Sequence, residues 1–303
     1  MSVASQWTLL TDPARRALGG LRFRPRILAE GRVSGLHPSS HQGQSLEFSD
    51  LKGYSFGDDP RGVDWKVYAR TDKLYVRRYL DETNLTARLV IDASGSMSYP
   101  EGASKYSHAA AMLAGLAYVL LRQRDEVGVV VAHARGTTSC PPRGVPSHLA
   151  EVAATLSAVE PSGETVLGGA LGEVVGGARK KGVVVLASDL LTDWERAVDA
   201  LGALAMRGHA VIVLHVLSVE ERSFPFRGSV VFKSPESGAS ALLDARGLRR
   251  SYLAAIDRFE REVRSACHDA GVFFFPVDMS RTAHEGVAEV VRAVEGGRRR
   301  RVL

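Results

Sequence analysis

The sequence has little cysteine, and this scarcity excludes several kinds of protein. Cys140 and Cys267 are the two cysteines among 303 residues, and neither belongs to a CxxC pair. A disulfide framework or a tetrahedral zinc site needs several cysteines or histidines at short spacings. We therefore expect two reduced, buried thiols and no zinc site.

Long apolar runs are also missing. A helix that crosses a bilayer needs about 20 consecutive apolar residues, whereas the longest apolar stretch, residues 108–121, contains a glycine. Residues 1–20 lack the basic start, apolar segment and cleavage site of a secretory signal. We expect no membrane span and a cytoplasmic location.

Motifs of several common enzyme classes are absent as well. Neither GxxxxGK[ST] nor a GxGxxG after a strand occurs, so a phosphate-binding nucleotide domain is not indicated. The sequence also has no HExxH motif and no GxSxG nucleophile elbow. These absences favour a protein that is not an enzyme.

From residue 87 onward, short β-branched runs alternate with helical stretches. Five runs are almost continuously apolar, as strands covered by helices on both faces must be: residues 89–91, 127–131, 183–186, 211–216 and 272–275. A sixth strand is predicted around residues 137–140, as an antiparallel edge. The pattern predicts an α/β fold with a doubly wound, mostly parallel six-stranded sheet over residues 87–295.

Three local patterns refine this prediction. Apolar residues at spacings of three and four predict a helix over 252–266 that stops at Gly271. The sequence Thr-Asp-Trp-Glu at 192–195 matches a capping box and predicts a helix start. Residues 222–245 lack periodicity, which predicts a loop or hairpin inserted after the fifth strand.

The two ends of the chain differ from its middle. Residues 1–86 are predicted to form a smaller, partly β region with a strand at 73–79, and residues 296–303 a basic tail. Arginines crowd both ends, although the net charge is only +5. A solvated tail is the favoured interpretation, and a nucleic-acid-binding accessory protein stays open as an alternative.

A D-x-S-x-S motif at residues 92–96 directly follows the first predicted strand. It puts one carboxylate and two hydroxyls at the carboxyl end of a strand, where open α/β sheets bind ligands. Two further loops at that edge carry a threonine and an aspartate. Such oxygen donors suit a hard cation such as Mg²⁺. The sequence predicts a metal site with one open position, made of Asp92, Ser94, Ser96, Thr165 and Asp189.

This order of residues resembles the metal-ion-dependent adhesion site of von Willebrand factor A domains, over about residues 87–295. The resemblance implies that Ser94, Ser96 and Thr165 bind Mg²⁺ or Mn²⁺. It also implies that Asp92 and Asp189 act directly or through water, and that an Asp or Glu of a partner protein completes the shell. The implied function is a non-enzymatic, metal-dependent protein-protein interaction module.

An enzymatic alternative uses the same aspartate. Haloacid-dehalogenase phosphotransferases also place an aspartate after the first strand, but they need a second aspartate two positions on. This chain has Ser94 there, so a phosphotransferase or hydrolase at Asp92 would lack its acid/base partner.

A second signature covers residues 44–71, with Glu-Phe at 47–48, Gly-Asp-Asp at 57–59 and Asp-Trp at 64–65. It resembles the hallmark of the bacterial domain of unknown function fifty-eight family, with Lys52 and Val63 where that family usually has arginine and isoleucine. The resemblance implies a MoxR-type AAA+ ATPase as partner and a role in assembling or activating other protein complexes. We also expect a paired, partly buried network around Trp65 and Tyr68, made of Asp58, Asp59, Arg61, Asp64, Lys66 and Arg70.

Overall fold

A computed structural model describes residues 9–25, 48–55, 60–79, 85–165, 167–178, 180–236 and 238–296. These residues fall into two compact units. The smaller unit lies within residues 34–84, and the larger unit combines the residues before 34 with those after 84.

The strands, in chain order, are β1 (Phe48–Gly53), β2 (Tyr75–Tyr79), β3 (Thr86–Asp92), β4 (Glu126–His133), β5 (Gly136–Arg143), β6 (Gly182–Ser188), β7 (Ala210–Leu217), β8 (Ser229–Lys233), β9 (Ser240–Asp244) and β10 (Phe273–Asp278). The helices are α1 (Asp12–Leu18), α2 (Trp65–Thr71), α3 (Lys105–Arg122), α4 (Leu149–Ser157), α5 (Leu167–Gly177), α6 (Trp194–Met206), α7 (Val219–Ser223), α8 (Ala245–Asp269) and α9 (Ala283–Gly296).

The larger unit is built on a six-stranded sheet with the order β10-β7-β6-β3-β4-β5. Neighbouring strands run parallel, except that β5 pairs with β4 antiparallel at one edge. The predicted doubly wound, mostly parallel sheet and its antiparallel edge strand are therefore confirmed.

The core lies on both faces of this sheet. Every residue of β6 and of β7 is buried, as expected for central strands that helices cover on both sides. One apolar cluster joins the sheet to α3, α4 and α9, and the other joins it to α5, α6 and α8. Cys140 and Cys267 are both buried within these clusters.

Helix α1 packs with the larger unit, which differs from the predicted division at residue 86. Leu18 of α1 is fully buried in the core, and a Cβ built on Gly115 of α3 would lie 3.1 Å from Leu18 Cδ1. The Phe23 amide also donates to Gln123 Oε1 at 2.6 Å. Apolar burial against α3 thus attaches the N-terminal helix to the sheet domain.

The start of α6 corrects one local prediction. Its N-cap residue, Asp193, has a φ of 50° and makes no side-chain cap hydrogen bond, so the predicted capping box is wrong. The other two local predictions are confirmed. Helix α8 ends before Gly271, and residues 229–244 form the inserted hairpin β8–β9.

Both edge strands of the sheet contain proline. β5 carries Pro141 and Pro142, and β10 carries Pro276. Proline lacks the amide hydrogen that a sheet ladder needs, so it is tolerated mainly at edges. These positions agree with the outer places of β5 and β10 in the strand order.

The smaller unit contains the antiparallel pair β1–β2 and helix α2. Asp64 caps α2 by accepting hydrogen bonds at Oδ1 from the amides of Lys66 (2.9 Å) and Val67 (3.2 Å). Lys66 and Arg70 are exposed, so the expected burial of these two charges is wrong. Asp58 and Asp59 lie outside the described residues.

None of the described helices is long and apolar enough to cross a membrane. The predicted basic tail falls almost wholly outside the described residues, which end at residue 296 with α9.

Candidate functional site

Three loops meet at the carboxyl edge of the sheet. Asp92 is the last residue of β3, and Asp189 directly follows β6, the parallel neighbour of β3. The carboxyl ends of adjacent parallel strands lie side by side, so the two aspartates share one edge. Both are buried, with exposed fractions of 3% and 1%.

The loop after β3 is held by hydrogen bonds to Asp92. Its Oδ1 accepts from the Ser94 amide at 2.9 Å, and its Oδ2 accepts from Ser188 Oγ at 2.7 Å. Ser94 Oγ and Ser96 Oγ lie 3.1 Å apart. One carboxylate and two hydroxyls are thus gathered in a short turn.

The loop that carries Thr165 lies against this turn. The Gly95 amide donates to the Gly163 carbonyl at 2.7 Å, and the Ser162 amide donates to the Ala93 carbonyl at 3.1 Å. Gly163 has a φ of 66°, a conformation that glycine adopts without strain.

Thr165 itself is buried without a hydrogen bond. Its side chain is 4% exposed, and its Oγ1 has no hydrogen-bond partner in the structure. A buried hydroxyl without a partner costs about 1–3 kcal/mol. Such an orphaned oxygen in a native fold calls for an explanation, and a bound ion is one.

Asp189 is paired with a buried lysine. Lys105 Nζ at the start of α3 lies 2.8 Å from Asp189 Oδ2 and 2.6 Å from Glu221 Oε1. Burial alone would lower the pKa of Lys105, but the two carboxylates outweigh it and raise this pKa. The lysine therefore stays charged and orients Asp189.

The carboxyl group of Asp92 lies in an unfavourable environment for its charge. Burial and the nearby charge of Asp189 raise the pKa of Asp92 to about 6, against the lowering effect of its hydrogen bonds to Ser188 and Ser94. Two buried carboxylates that repel each other form a place where a cation is electrostatically favoured.

His215 of β7 is hydrogen-bonded to the backbone of the loop that carries Asp189. Its Nε2 lies 3.0 Å from the Asp189 carbonyl oxygen, and because a carbonyl only accepts, Nε2 carries the proton. Burial lowers the pKa of His215 to about 4. The ring packs 5.1 Å from the ring of Phe274, measured between centroids, so it is a neutral core histidine.

The tip of the β8–β9 hairpin, Ser234–Glu236, approaches the same turn. A Cβ built on Gly95 would lie 2.7 Å from the Pro235 carbonyl oxygen and 3.2 Å from Glu236 Cγ. Real Cβ atoms essentially never come that close to a backbone atom, so only glycine fits at position 95.

Several groups around this edge are not predicted by the sequence patterns above: Lys105, Ser188, Glu221 and Glu236. One signal was available, because Ser218-x-x-Glu221 is a capping-box pattern and the structure contains that box. The pairing of Glu221 with Lys105 joins residues 116 positions apart, and a local pattern does not reveal such a contact.

The donor set fits a hard divalent cation. Two carboxylates and three hydroxyls are the oxygen ligands that Mg²⁺ takes, with water in the remaining positions. Within the described ranges, no group of three or more His, Cys, Asp and Glu side chains gathers as a metal site. The hydroxyls of Ser94, Ser96 and Thr165 would therefore be needed for binding.

The fold and the site define the class of the protein. A mostly parallel six-stranded sheet with an antiparallel edge, helices on both faces and an Asp-x-Ser-x-Ser turn after a central strand is a von Willebrand A-like domain. Similar solved structures include BatB of Bacteroides thetaiotaomicron (18% identical, 70% of this chain and 99% of that one, TM-score 0.46). They also include the SpRpn10 VWA domain (9% identical, 68% and 94%, TM-score 0.40).

The chain belongs to the family described as Protein of unknown function DUF58, whose pattern matches residues 50–262. Uncharacterized protein Rv1480 of Mycobacterium tuberculosis is 26% identical over 290 residues, which cover 93% of this chain and 89% of that protein. Uncharacterized protein Mb1516 of Mycobacterium bovis matches over the same lengths with the same identity.

Proposed function

We propose that this chain is a non-enzymatic interaction module that holds Mg²⁺, or Mn²⁺, at the carboxyl edge of its sheet and uses the ion to bind a carboxylate of a partner protein. The ligands are Asp92, Ser94, Ser96, Thr165 and Asp189, directly or through water. A MoxR-type AAA+ ATPase is the proposed partner, in the assembly or activation of other protein complexes.

The observation that carries this proposal is the orphaned Thr165 hydroxyl. Its Oγ1 is buried without a hydrogen bond, on a loop whose backbone bonds to the Asp92–Ser96 turn. A metal ion would give this oxygen a partner and would also neutralise the repulsion between Asp92 and Asp189. One ion thus relieves two independent costs.

The same site explains the attraction of a carboxylate. Two carboxylates match the double positive charge of the ion in number, but a carboxylate that acts through water neutralises it incompletely. The three hydroxyls are neutral and add no negative charge. An ion with an open position and incomplete neutralisation attracts an incoming Asp or Glu side chain. The environment of Asp92 supports binding rather than catalysis, because Ser94 stands where a phosphotransferase would need an acid.

Metal binding is tested by calorimetric titration with Mg²⁺ and with Mn²⁺. We expect the wild type to bind one ion and Asp92→Asn to lose binding by at least about a hundredfold, because the variant removes a charged ligand. Asp199→Asn is the matched control, since Asp199 is exposed on α6 and should leave binding unchanged. Equal titrations for wild type and Asp92→Asn would refute the metal site.

Partner binding is tested by co-purification with a MoxR-type ATPase from the same organism. The complex should form in Mg²⁺ and dissociate in chelator, and Asp92→Asn should fail to form it. If the complex still forms in chelator and with Asp92→Asn, the ATPase is a partner but the metal takes no part in the contact.

A further inference from the structure

The β8–β9 hairpin brings a carboxylate of the chain itself to the candidate metal site. Its tip lies so close to the Asp92–Ser96 turn that Gly95 has no room for a side chain. Glu236 is only partly exposed although it lies on a hairpin tip. The tip therefore covers the turn that carries three of the proposed ligands.

The charges around Glu236 are those of the site. Burial raises the pKa of Glu236, the carboxylates of Asp189 and Glu164 raise it further, and Lys105 opposes them. Glu236 thus lies near enough to Asp189 and Lys105 for their charges to affect it. Without an ion this arrangement is repulsive, whereas a dication beside Asp189 would turn the repulsion into attraction.

We propose that Glu236 is an internal ligand: its carboxylate takes the open position of the metal, and a partner's carboxylate must displace the hairpin tip to bind. The proposal rests on the proposed metal site and adds how that site is regulated. In the absence of a partner, Glu236 of the same chain occupies the open position of the metal. A partner therefore binds when its carboxylate replaces that of Glu236.

The hairpin is held to the rest of the domain mainly along one side, so its tip can move away from the site at low cost. Its inner side is held by an aromatic cluster in which the Phe232 ring lies 5.8 Å from that of Phe224 and 5.5 Å from that of Phe226, between centroids. Its other positions are open, since every residue of β9 is exposed. Elements with few buried contacts open at low free-energy cost, so exchange at the tip does not require the sheet to unfold.

The test uses Mn²⁺ bound to the full chain and compares wild type, Glu236→Gln, Asp92→Asn and a matched control, Glu262→Gln. Glu262 is exposed on α8. Titration gives the affinity for Mn²⁺, and water-proton relaxation reports how many water molecules the bound ion carries. A thermal melt of each variant checks that it is folded.

We expect Glu236→Gln to bind Mn²⁺ roughly tenfold more weakly, because the count of charged ligands sets affinity. Its bound ion should carry one more water than in the wild type, and Glu262→Gln should match the wild type in both. Acetate, as a simple carboxylate probe, should lower the relaxation of Glu236→Gln at concentrations that leave the wild type unchanged.

Two results overturn the proposal in distinguishable ways. If Mn²⁺ binding depends on Asp92 but the bound ion carries the same number of waters in wild type and Glu236→Gln, Glu236 is not a ligand. The metal site itself would then stand, whether or not Glu236→Gln changed the affinity. No difference between wild type and Asp92→Asn would remove the metal site and the internal ligand together.

Discussion

The interior of the sheet and its carboxyl edge are equally buried, yet they differ in what they bury. In β6 and β7 the buried side chains are almost all apolar. At the edge, Asp92, Thr165 and Asp189 are also nearly inaccessible, but two of them carry charge and the third has no hydrogen-bond partner.

This difference indicates that the apolar interior stabilises the fold, whereas the buried polar groups at the edge serve the proposed binding site. Apolar burial contributes roughly 25 cal/mol per Å² and needs no partner. Buried charges and orphaned hydroxyls cost free energy unless something compensates them. At the edge, Asp189 has Lys105 as its counter-charge, but among the described residues Asp92 has no cation beside it and Thr165 Oγ1 has no partner. The stability of the edge should therefore respond to a cation, whereas that of the interior should not.

The largest expected effect is at Lys105. Lys105→Met leaves the buried Asp189 and the partly buried Glu221 without their cation, which should lower the free energy of unfolding by about 4 kcal/mol in chelator. Saturating Mg²⁺ should reduce this loss, because the ion takes over the charge of Asp189. Urea denaturation with and without Mg²⁺ measures both values.

Leu186→Ala provides the contrast from the interior. Leu186 is fully buried in β6, so its truncation should cost about 3 kcal/mol, equally with and without Mg²⁺. If the cost of Lys105→Met were also independent of Mg²⁺, the lysine would be a structural ion pair without coupling to the site.

A smaller effect is expected from pH. In the metal-free fold, burial and Asp189 raise the pKa of Asp92 from 3.8 to about 6. The stability contributed by the protonated group is therefore fully present below pH 3.8 and is lost as the pH rises through about 6. Metal binding needs the carboxylate, so it should release a proton and tighten by about tenfold from pH 5 to pH 7.

Calorimetry in two buffers of different ionisation enthalpy measures the released proton. Asp199→Asn should keep the wild-type profile. A metal affinity that is flat between pH 5 and pH 7 would contradict the raised pKa of Asp92.

The smallest expected change in stability has the opposite sign. Thr165→Val replaces an orphaned hydroxyl with a methyl group of similar size, so the metal-free protein should gain about 1 kcal/mol. The same change removes a proposed ligand and should weaken Mg²⁺ binding at least about tenfold. Thermal melts in chelator and metal titrations check the two halves. A loss of stability in chelator would indicate that the hydroxyl already has a partner.

The sheet was predictable because its signals are local. Near-continuous β-branched runs such as Val183–Leu186 identify central strands, and the Arg135-Gly136 turn separates an edge strand from its neighbour. The start of α6 was not predictable in the same way. Asp193 adopts a left-handed conformation there, and capping-box residues alone do not reveal the path of the preceding loop.

The proposed ligands were found in the sequence because each follows a strand or precedes a helix at one edge of the sheet. Lys105, by contrast, lies on the first turn of a helix and meets Asp189 across 84 positions. Glu236 lies in a segment without periodicity, and its neighbours depend on how the hairpin folds back. Tertiary packing alone brings these two side chains to the site, and the metal ligands themselves stay a prediction.

The prolines of β5 and β10 bear on how the molecule meets other chains. An uncovered strand with free amides invites pairing with a foreign strand, which can lead to fused sheets or fibres. Pro141, Pro142 and Pro276 remove amide donors at both borders of the sheet. These prolines make pairing with a foreign strand less favourable at those positions, which favours recognition of a second protein through side chains and loops.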